Sequence, residues 1–215
     1  DQFTIEMQKD LVSLHDRKGI MNIDVLSFGR LTHRIFEEMG GNRLPMLDDT
    51  GKSLIIRRVA AGQRGELPVL GGRLGQTGYI HEVKSAISEF MQYGIGLQEL
   101  DQLTEFSKKR GQLYYKLKDL WTIYEGFQQF IREKYLTTEE SLEVLASYVP
   151  QSKLLKDSVI VFDGFTGFTP VQNRVIAELM KQAKEVIVTV TLGSGENPWE
   201  EIREQELFSM SKKTI

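Results

Sequence analysis

Cysteine is absent from the 215 residues of this chain, which excludes disulfides, thiolate metal sites and a cysteine nucleophile and fits a reducing compartment. Long apolar runs are missing as well. None approaches the roughly 20 residues that span a bilayer and no signal peptide opens the chain, so a soluble cytoplasmic protein without a membrane partner is the default expectation. Charge of one sign is also lacking: 27 basic and 30 acidic residues leave a formal net charge of −3, so no global positive field advertises nucleic acid and any such contact must be local. The three histidines, His15, His33 and His81, show no HxxxH or HxH spacing, which argues against a transition-metal site. No GxSxG elbow and no GxxxxGK[ST] phosphate loop occurs, and no pair of acids stands out for glycoside chemistry. A starting methionine is missing too. The chain opens at Asp1 and reads as the middle of a longer protein, so missing motifs carry little weight.

Hydrophobic residues make up 40% of the chain, enough for a real core. Residues 4 to 14 carry apolar side chains at helical intervals, and "IDVLSF" (23 to 28) predicts a short strand. A helix should follow, N-capped by Ser27, striped by Leu31, Ile35, Phe36 and Met39, and ended by Gly40 and Gly41. From 42 to 152 five segments have 3.6-type periodicity and predict five helices. Between the first two lies "GQRGELPVLGGRLGQTG", with six glycines in 17 residues, which reads as a mobile loop. Strands return at "SVIVFDGF" (158 to 165) and "EVIVTVTL" (185 to 192), with a helix at about 170 to 182 between them. Both are apolar throughout, as in a parallel sheet covered on both faces. The expected fold is therefore α/β: a parallel, doubly wound sheet from 1–41 and 153–215, with 42–152 as an all-helical insertion. The last stretch, "NPWEEIREQELFSMSKKTI", reads as peripheral.

Three places invite chemistry. Asp163 follows "VIVF", where ligands sit beyond the carboxyl ends of parallel strands. P-loop nucleotidases hold magnesium through such an acid, usually with a second acid beside it, whereas here Gly164 follows; the alternative is that Asp163 caps a turn with Gly164. The loop "DGFTGF" then presents Phe165 and Phe168, rings that either stack on bases or plug the core beneath. At "SFGRLTHRIF", Phe28, Arg30, His33 and Arg34 cluster at a strand-to-helix junction that attracts phosphate or base edges; the other reading makes them surface charges and a half-buried histidine. The aromatic load of the segment from Tyr114 to Tyr135, by contrast, has the spacing of a bundle's packing face.

Taken together, "DQFT" (1 to 4), "VLSFGRLTHRIFEEMGG" (25 to 41), "EFMQYG" (89 to 94), "KLKDLWTIYEGFQQFIREKYL" (116 to 136), "DGFTGFTPVQ" (163 to 172) and "ELFSM" (206 to 210) resemble the B subunit of the bacterial AddAB (RexAB) helicase-nuclease, nearly end to end and in register. The resemblance implies a P-loop, superfamily 1 helicase-like domain whose motor has decayed, with a first strand and phosphate loop lying before Asp1. It implies a heterodimer with an A subunit that acts on double-stranded DNA ends and resects breaks for recombination, with ATP, magnesium and an iron–sulfur cluster as cofactors of the whole enzyme. The cluster and nuclease lie outside this cysteine-free chain, and this region itself is expected to lack catalysis. It further implies that Gln2, Thr4, Phe28, Arg30, His33 and Phe165 contact the unwound single strand and read the short Chi sequence, with Asp1 adjoining them. Relatives in that family carry tryptophan where His33 stands, a departure that weakens a stacking or wedge contact and implies a different recognised sequence. Asp163 would be a relic of the motor's magnesium acid. The alternatives are an ATP-hydrolysing motor domain without its phosphate loop, and a scaffold that packs on the A subunit.

Overall fold

The computed structural model describes residues 2–41, 44–73, 75–200 and 206–214, the side chains of residues 2, 3 and 77 excepted. In chain order the elements are α1 (Gln2–Leu14), α2 (Phe28–Glu38), β1 (Met46–Leu47), α3 (Asp49–Gly62), α4 (Thr77–Tyr93), α5 (Leu97–Phe106) and α6 (Gln112–Ile131). They continue with β2 (Leu136–Thr137), α7 (Thr138–Tyr148), β3 (Val159–Phe165), α8 (Pro170–Gln182), β4 (Glu185–Val190) and α9 (Ser209–Thr214). The protein thus mixes helices with small parallel sheets. Among the described residues these are two sheets of two strands each, β1 with β2 and β3 with β4.

The strand expected at 23–28 does not form. Residues 23 to 27 are irregular and Phe28 already belongs to α2, because Ser27 stops an extended run by capping: its Oγ accepts the Arg30 amide at 3.3 Å. Thr32, Ile35 and Phe36 are then buried on one side of α2. The helix ends where expected, with Gly40 and Gly41 at φ of 94° and 89° and the Gly41 amide donating to the Phe36 carbonyl at 2.7 Å.

All five helices expected between 42 and 152 are present, as α3 to α7. Two hydrophobic cores divide the molecule. The larger gathers Ile55, Ile56, Ile87, Leu100, Ile123 and Phe127 from α3, α4, α5 and α6. The smaller joins Ile35 of α2, Leu145 of α7, Phe162 of β3 and Val175 and Leu179 of α8. The buried ion pair of Lys52 and Glu139, 2.7 Å apart, ties α3 to α7. The glycine-rich stretch is not the expected mobile loop. Leu67 and Leu70 are buried, and Oδ2 of the fully buried Asp119 accepts the amides of Val69 and Leu70 at 2.9 and 2.7 Å. On α6, Tyr124 and Phe127 do line the larger core, but Tyr114 and Tyr115 are not part of it, so the packing stripe begins a turn later than the sequence suggested.

β3, α8 and β4 form the β-α-β unit read from the sequence. The strands are parallel, pairing Val159 with Glu185 through Phe162 with Val188, and the register shifts before Phe165 pairs with Val190. Thr169 and Gln172 make a reciprocal cap ahead of α8, with Pro170 in its first turn. The expectation that both faces are covered fails among the described residues: Val161 is 55% exposed and Val159 and Ile187 are exposed beside it. Successive side chains of a strand face opposite ways, so burying Phe162 leaves its neighbours outward.

Candidate nucleic-acid interface

Four phenylalanines meet at the carboxyl end of β3. Phe28, the first residue of α2, lies 5.8 Å from Phe162, centroid to centroid, with the rings stacked at 25°. It meets Phe165 edge-on at 5.8 Å and Phe168 edge-on at 6.5 Å. Phe165 and Phe168 lie 4.9 Å apart, tilted by 31°. Phe162 closes the group from beneath and is buried, while the other three rings are half-buried against the smaller core. The two readings of the loop phenylalanines therefore merge: each ring packs on the core and each keeps part of its surface in solvent.

Gly164 makes this possible. Its φ of 75° coincides with the register shift between Phe162 and Phe165, a kink that favours glycine and turns Phe165 toward Phe28. Asp163 sits inside β3 rather than beyond it. Neither a turn cap nor the end of a buried strand, it is exposed, and its Oδ1 accepts a hydrogen bond from the Thr189 hydroxyl of β4.

Around the rings the charges are few and specific. Arg30 is exposed and enters no ion pair among the described residues, whereas Arg34 is held by Asp24 at 2.8 Å. His33 is exposed, not half-buried, with Nδ1 3.6 Å from Glu37. Positions 30 and 33 share one side of α2, and the buried Thr32, Ile35 and Phe36 occupy another. Thr4 is buried on the first turn of α1. Gln2 opens that helix, but its side chain, like the whole of Asp1, lies outside the described residues. The structure thus brings Phe28 and Phe165 into contact and places Arg30 and His33 on the same helix as Phe28.

Sequence reasoning missed two neighbours. Phe162 was legible from the strand pattern, since it must face away from Asp163. Residues 210 to 212 of the C-terminal stretch are not peripheral: Met210 lies so close that a Cβ at Gly167 would meet its Cε at 3.0 Å. The Ser211 hydroxyl donates to the Thr166 carbonyl at 3.5 Å, and buried Lys212 bridges Glu196 at 2.6 Å and Glu206 at 3.1 Å. Those two carboxylates hold the Lys212 ammonium above the ordinary lysine range. The segment "ELFSM" so forms a wall beside the Phe165 to Phe168 loop.

Asp163, the acid expected to face magnesium, has one carboxylate oxygen engaged by the Thr189 hydroxyl. No group of three His, Asp or Glu side chains able to hold a metal ion occurs among the described residues. Cysteine, the usual ligand of an iron–sulfur cluster, is absent from the chain. No helix among the described residues is long and apolar enough to cross a membrane.

A family model described as ADDB, N-terminal, matches residues 1–215. The chain is 45% identical over 214 residues, 99% of its length, to the B subunit of the ATP-dependent helicase/deoxyribonuclease of Lachnoclostridium phytofermentans. It is 34% identical to the protein of the same name from Caldanaerobacter subterraneus and 32% identical to that from Alkaliphilus oremlandii, over all of its length. In each case it spans 18% of the relative's length.

Proposed function

The chain belongs to the ADDB N-terminal family, and on that premise we propose that it is part of the B subunit of a heterodimeric ATP-dependent helicase and exodeoxyribonuclease that resects double-strand breaks for recombinational repair. In this role the region is a decayed helicase domain. Residues 1–41 and 153–215 supply the remains of its doubly wound sheet and 42–152 its helical insertion. It binds the unwound single strand and reads Chi, and it performs no chemistry of its own. Its partners are the A subunit and DNA.

The observation that carries this reading is the contact of Phe28 with Phe165, rings half in solvent, beside Arg30, a cation without an ion-pair partner among the described residues. Half-exposed rings supply faces for unpaired bases, and an unpaired arginine supplies donors for guanine or phosphate. Such a division suits single-strand reading, in which stacking is tolerant of sequence and edges are not. Gln2 and His33 complete the proposed contact set, Thr4 being buried on α1. That Gly164 follows Asp163, where a motor would place a second acid, supports a site without ATP hydrolysis.

The test uses the full-length subunit with its partner. Affinity for Chi-containing and scrambled single strands is compared between native protein and the Phe165→Ala plus Arg30→Ala variant. A collapse of the ratio toward one supports the reader; an unchanged ratio rejects it.

A further inference from the structure

A second concentration of rings and positive charge lies in the helical part of the molecule, at the junction of α5 and α6. Phe106 is 80% exposed and Leu103, one turn before it, 46%; across the junction Tyr115 is 50% exposed. Residues of these kinds normally seek a core, yet all three point to solvent. Between them the chain reads "SKKRGQLYYKLK", with five cations and no acid from 107 to 118, in a chain whose net charge is −3. Lys108, Lys109 and Arg110 form a short 3-10 turn, Gly111 turns the chain at φ 51°, and Lys116 and Lys118 follow in the first two turns of α6.

Little within the molecule neutralises this charge. Lys108 pairs with Glu105, and the Arg110 guanidinium lies 6.0 Å from the centre of the Phe106 ring. Lys109, Lys116 and Lys118 enter no ion pair among the described residues and are exposed. A merely solvated surface mixes both signs, and a merely apolar one is not interleaved with lysine. Positive charge interleaved with exposed rings matches a polymer that alternates phosphates with bases. An anionic lipid surface fits less well, because the exposed apolar residues are few and sit on a bend between two helices rather than along one continuous face.

We propose that residues 103–118 form a second, sequence-independent contact for single-stranded nucleic acid. Lys109, Arg110, Lys116 and Lys118 neutralise backbone phosphates, and Phe106 and Tyr115 stack on bases. This contact is independent of the rim at Phe28 and Phe165: it would supply affinity, while that rim supplies selectivity.

The test measures anisotropy of a labelled deoxythymidine strand of about 20 nucleotides, a length that spans one or two binding sites, on the full-length subunit with its partner across a salt series. Replacing Lys109, Arg110, Lys116 and Lys118 by Gln should weaken binding at least tenfold and flatten the salt slope by about 3, near 0.7 per lost single-strand phosphate contact. Phe106→Ala with Tyr115→Ala should weaken binding by about thirtyfold or more at an unchanged slope, as expected for two lost stacks. The preference for Chi over scrambled strands should survive both variants, which separates this site from the one at β3. All six positions are solvent-facing or half so, and circular dichroism checks that the fold persists. An unchanged affinity and slope in the Gln variant overturns the proposal. So does unchanged strand binding joined to a loss of affinity for phosphatidylserine vesicles, which would make the patch a membrane contact, or for the partner subunit, which would make it a protein interface.

Discussion

Phe162 and Arg30 belong to the proposed interface, yet their substitutions should behave in opposite ways. Phe162 is buried beneath three other rings, so Phe162→Ala should cost about 3–5 kcal/mol in denaturant unfolding. Arg30→Ala should stay within about 0.5 kcal/mol, as exposed substitutions do, and show itself only in strand binding. A stability loss at Arg30 comparable to that at Phe162 would contradict the geometry. Asp119 makes a further case. Its carboxylate takes both amides of the Val69–Leu70 turn, so Asp119→Ala strands one buried and one partly buried donor and should destabilise by about 2–4 kcal/mol. Backbone exchange at 69 and 70 should accelerate with it. None of this was legible in the sequence: six glycines announce freedom locally, whereas the restraint comes from a residue some 50 positions away.

Elements were read more securely than their partners. Helices α2 to α8 follow from apolar spacing and, for α2, from the cap at Ser27, which are local properties of the chain. The strand expected at 23–28 failed because a short apolar run carries no period long enough to separate strand from coil. The two-residue strands β1 and β2 had no sequence signature at all. Between elements, the Lys52–Glu139 pair is nearly excluded from solvent and predicts a cycle. Lys52→Met alone should cost about 3–5 kcal/mol by leaving a buried carboxylate uncompensated, while Lys52→Met with Glu139→Leu should recover most of it. Glu38 predicts a pH effect. Burial works to raise its pKa, but the Ser152 hydroxyl at 2.6 Å, the Lys153 and Leu154 amides and the Lys153 charge outweigh it and hold the carboxyl below its ordinary 4.5. A depressed carboxylate stabilises the fold above its unfolded pKa, and that contribution fades as pH falls through the folded value. Native protein should therefore exceed Glu38→Gln in stability by about 1 kcal/mol or less near neutrality, and the gap should close below pH 4.5. A gap that widened in acid would reverse the assignment.

At the scale of the whole molecule, α7 lends Leu145 to the smaller core and is tied by Glu139 to Lys52 of α3, and among the described residues a pair of parallel strands leaves one face bare. The sequence predicted the β-α-β unit and the long helical insertion, because periodicity changes where one gives way to the other. It could not show the bare face, since a continuous apolar run reads alike whether one side or both are covered. Of the site, Phe28 and Phe165 were named from their neighbourhoods, but their contact depends on the kink at Gly164, which pairing with β4 alone reveals. An unpaired strand lying across those two rings is the arrangement proposed. Photo-crosslinking a Chi-containing strand, with 5-iodouracil substituted at successive positions, to the full-length subunit and its partner tests it most directly. Adducts on Phe28 and Phe165 that disappear with a scrambled strand are the expected result. Efficient crosslinking that never reaches either residue would contradict it.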